Sequence, residues 1–302
     1  MSVLGLLKPE YFLRPQQIPL RLWRGLRARS DTFKIVRLPW GSDLRVNIRD
    51  SIGWSIYTRA IYETAVTETL WRLTKPGDHV ADVGANIGYM ASILSARVGL
   101  SGKVYCFEPH PQMAAELRRN IALWRYGQSC SIWQAAVGES SGPGTLFVPE
   151  YFSHNHGISS VSPRNDIGTN TEIPIDIVAL DDVIPKLASL AVVKIDVEGH
   201  ELSVFKGMQN ILESHRVHYI VFEEIAPFPA PTHAFLKDRG YTTYGIEHQL
   251  NGIRFTPSSQ PTTDDIPVYL ATREPPEVVK RIQKSFWQSF GPNSLLKNRV
   301  AL

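Results

Sequence analysis

Short apolar runs alternate along the chain with amphipathic segments in which apolar residues recur at helical spacing. Four runs have the length of buried strands, at residues 80–83, 104–107, 192–195 and 219–222. Each is followed by a segment of helical periodicity, as residues 89–98 follow the first run. Repeated strand–helix units are typical of a mostly parallel sheet with helices on both faces. The pattern therefore predicts an α/β fold.

The segments on either side of these units predict appendages to the α/β core. Alternating residues at 33–38 and 44–48 predict a β-hairpin, and helical spacing at 51–73 predicts one helix before the first core strand. The chain is accordingly divided into an N-terminal extension (residues 1–74, with a basic arm, the hairpin and the helix), the core (residues 75–272) and a C-terminal tail (residues 273–302).

Three further predictions concern the less regular parts of the core. Residues 131–137 predict a third strand, and the region 138–170, rich in Gly, Ser and Pro, predicts surface loop or a short hairpin. Residues 241–246 and 267–271 predict a final antiparallel pair, joined by a turn at Asn251-Gly252.

The composition adds limits on compartment and partners. The formal charge of +3 is too small to indicate nucleic acid in the absence of clustered basic residues. Two cysteines, Cys106 and Cys130, cannot form a disulfide framework or a four-ligand zinc site, and Cys106 lies in an apolar run that predicts a buried free thiol. No run of about 18 apolar residues occurs, so we expect no transmembrane helix and a cytoplasmic protein.

The first 30 residues are basic and amphipathic. They carry Lys8 and five arginines against the single acid Glu10, with apolar residues between them. This pattern is compatible with a helix that lies on an anionic membrane or binds a partner. The same pattern is typical of an arm that packs on the core and exposes its basic face to solvent. We favour this second interpretation.

A glycine-bearing turn directly follows the first core strand. It runs from Gly84 to Gly88 and leads into the predicted helix at 89–98. Glycine at such a turn can adopt positive φ and lets a ligand approach the backbone closely, and Asn86 also tolerates left-handed geometry. Amide groups at the start of the helix would face the ligand. We therefore predict ligand binding at Asp82, Gly84, Asn86 and Gly88.

Glu108 directly follows the second core strand, 24 residues after Gly84. An acid at this position can accept hydrogen bonds from both hydroxyls of a ribose. Together, the glycine turn and Glu108 indicate a ligand that contains adenosine. These two features are shared by sites for NAD and for S-adenosylmethionine.

Four sequence blocks in order resemble the FkbM-type family of S-adenosylmethionine-dependent methyltransferases. The blocks are Asp82-Val83-Gly84-Ala85-Asn86-Ile87-Gly88, Phe107-Glu108-Pro109, Leu180-Asp181-Asp182 and Ile195-Asp196-Val197-Glu198-Gly199-His200-Glu201. The resemblance covers roughly residues 80–240. It implies a Rossmann-like core of seven strands, S-adenosylmethionine as cofactor, and usually O-methylation of a hydroxyl on a sugar, a polyketide or another secondary metabolite. It also implies that the adenine rests against Ala136, at the end of the third strand.

The candidate catalytic residues are Asp196, Glu198 and His200. Asp196 ends the fourth core strand, and ligands of open α/β sheets bind beyond the carboxyl ends of the strands. It could orient the acceptor or contact the methionine moiety. An alcohol acceptor needs a base, for which His200 is a candidate, although His200 and Glu201 could instead cap the next helix.

Two residues outside these blocks, His154 and His156, are alternative bases. No cluster of His, Cys and carboxylate side chains has the spacing of a metal site, so no metal is predicted. The expected partner is a small-molecule or glycan hydroxyl acceptor, and the oligomeric state is left open.

Two other classes of function share part of this pattern. A nicotinamide-dependent oxidoreductase would share Gly84 and Glu108, but the sequence lacks a recognisable catalytic Tyr/Lys or His arrangement. A non-catalytic module that binds an adenosine ligand is the third interpretation. Nucleic-acid methylation is disfavoured, because the core has neither a long basic stripe nor an Asn/Asp-Pro-Pro-Tyr motif after Ile195.

Overall fold

The computed structural model of the chain describes residues 32–149, 160–161, 170–226, 228–258, 267–283 and 286–289. The basic segment 1–30, His154 and His156 lie outside these residues. The strands are β1 (Phe33–Arg37), β2 (Asp43–Asn47), β3 (His79–Val83), β4 (Lys103–Phe107), β5 (Cys130–Trp133), β6 (Ala136–Val137), β7 (Gly142–Pro149), β8 (Asn170–Val178), β9 (Leu190–Ile195), β10 (Val217–Glu223), β11 (Thr242–Gln249), β12 (Gly252–Pro257) and β13 (Val268–Thr272). The helices are α1 (Ser51–Arg59), α2 (Thr64–Leu73), α3 (Tyr89–Val98), α4 (Pro111–Ile121), α5 (Leu180–Val183), α6 (Glu201–Lys206), α7 (Gln209–Glu213), α8 (Pro231–Lys237) and α9 (Pro276–Ile282).

The main sheet, as far as the described residues show, has eight strands in the order β12-β11-β13-β10-β9-β3-β4-β5. Strands β5, β4, β3, β9 and β10 are parallel, and β13 runs antiparallel between β10 and β11. The seven strands implied by the family resemblance are present, and β12 adds an eighth at the edge. The chain leaves β3 towards β4 and later returns to the opposite side of β3 as β9. This reversal opens a crevice at the carboxyl ends of the strands.

Both faces of the sheet are buried by helices. On β4, Val104 and Cys106 belong to one apolar cluster, whereas Tyr105 and Phe107 belong to the cluster on the other face. This alternation follows the two-residue period of a strand. A sheet covered on both faces needs apolar residues at every position, which is why its strands are continuous apolar runs in the sequence. The predicted α/β class is confirmed, and Cys106 is a buried free thiol.

The N-terminal hairpin is confirmed as β1 and β2, but the single helix predicted over residues 51–73 is wrong. Two helices, α1 and α2, are separated by Ala60 and Glu63, whose φ angles are 58° and 43°. These left-handed residues turn the chain between the helices. Apolar spacing continues through the turn, so periodicity alone did not reveal the break.

Two predictions for the middle and the end of the core need correction. The strand predicted at 131–137 is divided between β5 and β6, which belong to different sheets. Of the two alternatives predicted for residues 138–170, a loop or a short hairpin, the structure shows antiparallel pairing of β7 with β8. Gly144 is a strand residue that pairs with Ile175, and a Cβ at this position would meet the side chain of Ile177. At the end of the core, the predicted antiparallel pair is confirmed as β11 and β13. The turn at Asn251-Gly252 does not join these two strands, because it leads from β11 into β12.

The segment after β13 packs against α2. The Arg72 guanidinium donates hydrogen bonds to the carbonyl oxygens of Ile282 and Phe286, at 2.6 and 2.7 Å. The buried Glu68 carboxylate accepts hydrogen bonds from the backbone amides of Gln288 and Ser289. The sequence predicted only a C-terminal tail here, without a role. Among the described residues, no helix has both the length and the apolar composition to cross a membrane.

Candidate active site

A cleft of about 380 Å³ lies at the carboxyl ends of β3, β4, β9 and β10. Its volume falls within the range of small-ligand sites. Seven of the nine sequence-predicted site residues line it, namely Gly84, Asn86, Glu108, Ala136, Asp196, Glu198 and His200. Asp82 lies beneath the cleft, and Gly88 faces away from it.

Gly84 allows two neighbouring strand ends to touch. Its φ is 79°, and a Cβ at this position would lie 1.8 Å from the carbonyl oxygen of Asp196. The backbone amide of Asp196 donates to the carbonyl of Val83 at 3.0 Å. The sequence suggested that this glycine leaves room for a ligand. The structure gives a second reason for glycine at this position, because the close contact between the two backbones brings Asp196 to the cleft.

Glu108 is held in place by backbone amides. Its two carboxylate oxygens accept hydrogen bonds from the amides of Asn86, at 2.8 Å, and His110, at 2.9 Å. Asn86 adopts a left-handed φ of 48°, as its residue type allowed. Burial raises the pKa of Glu108 to about 7, against the opposing effect of these two hydrogen bonds. The carboxyl group therefore has a fixed orientation at the cleft.

Gly88 has a packing role that the sequence did not reveal. It precedes α3 with a φ of 93°, and a Cβ there would lie 2.6 Å from Leu117 Cδ1 and 3.0 Å from the Trp124 ring. The residue lets α3 approach α4. It does not line the cleft.

Lys194 is a buried cation that lines the cleft, and the sequence did not indicate a role for it. Its Nζ lies 3.0 Å from Asp196 Oδ2 and 3.8 Å from Asp82 Oδ1. Burial alone would lower the pKa of Lys194, but Asp196, Asp82 and Glu63 together raise it above its ordinary value. The lysine is therefore charged at neutral pH. Burial raises the pKa of Asp82 to about 6, although Lys194 opposes the shift.

Tyr62, Glu63 and Glu223 also line the cleft and were not predicted. Glu223 ends β10, so the strand-end rule that identified Glu108 could have identified it too. The sequence held no signal for Tyr62 and Glu63, which come from the connection between α1 and α2. The amide of Tyr62 donates to the Tyr89 hydroxyl at 2.9 Å, which fixes this connection above the turn after β3.

The turn after β9 carries the other two catalytic candidates. Glu198 and Gly199 both have positive φ angles, 54° and 92°, so the chain turns sharply before α6. Burial lowers the pKa of His200, which keeps its imidazole neutral at pH 7. His200 takes the N-cap position of α6 without a side-chain capping bond. Within the described residues, no three His, Cys, Asp or Glu side chains are grouped as metal ligands.

Comparison with known proteins assigns the family. The model of the methyltransferase FkbM domain matches residues 82–243, which is more than half of the chain. The chain belongs to the FkbM methyltransferase family. The matched region begins at Asp82, two residues before the glycine turn, and includes Glu108, Asp196 and Glu223. It leaves out Tyr62 and Glu63, although both line the same cleft.

Two curated relatives are methyltransferases of different acceptors. The hexuronic acid methyltransferase AglP of Haloferax volcanii is 34% identical over 184 residues, which cover 58% of this chain and 64% of that protein. The chain thus spans less than two thirds of the length of AglP. The 31-O-demethyl-FK506 methyltransferase FkbM of Streptomyces tacrolimicus is 29% identical over 253 residues, which cover 73% of this chain and 94% of that protein. A solved FkbM methyltransferase from Methylobacillus flagellatus aligns at 17% identity over 72% of this chain and 52% of its own, with a TM-score of 0.42.

Proposed function

We propose that this FkbM methyltransferase uses S-adenosylmethionine and methylates a hydroxyl group on a small molecule or glycan. The observation that carries the proposal is the Glu108 carboxyl, which backbone amides orient at a cleft of nucleoside size. A carboxylate held in this way can accept hydrogen bonds from both ribose hydroxyls. The apolar residues Ala135, Ala136 and Val137 lie on the same cleft and offer a surface for adenine.

The polar end of the cleft supports the transfer step. When bound, S-adenosylmethionine supplies a methyl group attached to a sulfonium. The side chains of Asp196, Glu198 and His200 line the cleft on the β9 side and would orient the acceptor hydroxyl. The neutral imidazole of His200 can accept the proton that this hydroxyl loses. Asp196 is held by Lys194 and suits an orienting role better than a basic one.

The relatives guide the choice of acceptor. The names of AglP and of the Streptomyces FkbM refer to a hexuronic acid and to the 31-O position of FK506. We therefore propose a hydroxyl-bearing acceptor, a sugar or a polyketide, for this chain. A cytoplasmic location remains the prediction from sequence.

Calorimetric titration tests the cofactor assignment. S-adenosylhomocysteine should bind and NAD should not. The Glu108→Ala variant should bind S-adenosylhomocysteine about ten- to a hundredfold more weakly, because hydrogen bonds to a charged group are lost. Glu213→Ala is the matched control, since Glu213 is half exposed and faces Arg239 on the surface. Binding of NAD, or unchanged affinity in Glu108→Ala, would contradict the assignment.

Methyl transfer from labelled S-adenosylmethionine to a panel of acceptors tests the reaction. The panel contains a neutral hexose, a hexuronic acid and a macrolide. The Asp196→Ala variant should chiefly slow turnover with the best acceptor. Ordinary turnover in that variant would remove Asp196 from the catalytic residues.

A further inference from the structure

The polar end of the cleft holds more carboxyl groups than the chain neutralises. Glu63, Asp82 and Asp196 all interact electrostatically with the ammonium group of Lys194. That ammonium group is in contact with Asp196 and Asp82. Burial raises the pKa of Glu223 to about 10, so this carboxyl group is protonated at neutral pH and adds no charge. In the described residues, these carboxyl groups are not arranged as metal ligands. A cationic group of a bound ligand would supply the missing positive charge.

Glu63 is directed to the cleft by an unusual local backbone. It precedes α2 in left-handed geometry, with a φ of 43°, and its side chain makes no capping bond to the helix. Such geometry costs about 1 kcal/mol or more for a residue other than glycine and persists where the surroundings impose it. Here the surroundings are the Tyr89 hydroxyl and the Thr67 hydroxyl, which hold the backbone amide and carbonyl of Tyr62. The Glu63 side chain is hydrogen-bonded to that of Tyr62.

We propose that Glu63 binds the α-ammonium group of the methionine moiety of the methyl donor. The inference rests on the proposed function, and it concerns a residue outside the region that the family model matches. A donor whose ribose lies at Glu108, directly after β4, extends across β3 towards β9, which is the strand order of the sheet. Glu63 lines the same cleft as Gly84, after β3, and Asp196, after β9, so it lies where the methionine moiety would reach. Asp196 already binds Lys194, and Glu223 lies one strand further on, at the end of β10.

The charge state of Glu63 gives the proposal a second consequence. Burial and Asp196 raise the pKa of Glu63 to about 7, while Lys194 and the Tyr62 hydroxyl oppose the shift. The other titratable groups that face it are Asp82 of β3, Tyr89 of α3 and Glu223 of β10. An ammonium group binds the ionised carboxylate. The affinity for a ligand with this group should therefore increase as the pH rises through about 7.

Two ligands that differ in the amino-acid portion test the proposal. S-adenosylhomocysteine carries the α-ammonium group, and 5′-methylthioadenosine has the same nucleoside without it. Calorimetric titrations compare the wild type, Glu63→Gln and the surface control Glu213→Gln. Glu63→Gln should weaken S-adenosylhomocysteine binding about ten- to a hundredfold and leave the affinity for methylthioadenosine unchanged. The control should behave as the wild type does.

The pH dependence is measured as the ratio of the two affinities. Both ligands carry the same ribose, so the contribution of Glu108 to binding cancels in the ratio. It should rise between about pH 6 and pH 8 in the wild type and stay constant in Glu63→Gln. Equal losses for both ligands, or no loss for either, would overturn the role of Glu63. A wild type that binds neither ligand would instead refute the proposed function.

Discussion

The contact between Gly84 and Asp196 can be measured as a free energy of unfolding. Alanine at position 84 must adopt a φ near 79° and place its Cβ against the carbonyl oxygen of Asp196. The left-handed backbone costs about 1 to 2 kcal/mol for an L-residue. Forcing an atom into a packed contact adds about 1 to 3 kcal/mol, because the neighbouring strand end has to move. We expect Gly84→Ala to lose roughly 2 to 5 kcal/mol of stability.

Gly240 provides the matched control for this experiment. Its φ is 80°, almost the same as that of Gly84, but the nearest atom to an added Cβ is Arg273 Nε at 3.6 Å, an ordinary contact. Gly240→Ala should therefore lose only the backbone portion, about 1 to 2 kcal/mol. Urea unfolding of both variants gives the difference, which isolates the contact with Asp196. Equal losses would show that the Asp196 carbonyl yields without cost and would refute the packing role of Gly84.

Two further predictions concern buried charges. Glu68→Gln should lower the free energy of unfolding by about 3 to 5 kcal/mol, because it leaves the buried Arg72 without its carboxylate. The control is the exposed pair of Glu139 and Lys206, where Glu139→Gln should lower it by less than about 1 kcal/mol. Urea unfolding measures both. The ligand-free protein should become less stable between about pH 4 and pH 8, since the pKa of Glu108 is raised to about 7 and the protonated form that the fold favours is lost as the pH rises. The contribution of Glu108 to this decline is on the order of 3 kcal/mol. The free energy of unfolding of Glu108→Gln should therefore decline less with rising pH than that of the wild type. An identical decline in both proteins would contradict the raised pKa.

Local patterns were sufficient for the parts of the fold in which one segment decides its own structure. The strand, turn and helix around Gly84 could be predicted because an apolar run, a glycine and a segment of helical periodicity follow one another. Glu108 and Asp196 were readable because residues at the carboxyl ends of parallel strands meet at one edge. Glu223 satisfies the same rule and could have been included.

Features that depend on contacts between distant segments could not be predicted from the sequence. The composition of residues 138–170 left a loop and a short hairpin as alternatives, and the pairing of β7 with β8 decides between them. Gly88 resembles a ligand-binding glycine, but Leu117 and Trp124 determine its need for a small residue. Glu63 is brought to the cleft by Tyr89, which lies 26 positions later in the chain and binds its neighbour Tyr62. No pattern within residues 51–73 contains that information.

Helix α2 connects the proposed ammonium site to the C-terminal segment. Glu63 precedes its first turn. Arg72 binds the backbone of Ile282 and Phe286, and Glu68 binds that of Gln288 and Ser289. A helix moves largely as a unit because its backbone hydrogen bonds are internal. The position of Glu63 should therefore depend on how Glu68 is held. Glu68→Gln should then also reduce the preference for S-adenosylhomocysteine over methylthioadenosine. An unaltered preference would mean that the packing of α2 on the sheet is sufficient to position Glu63.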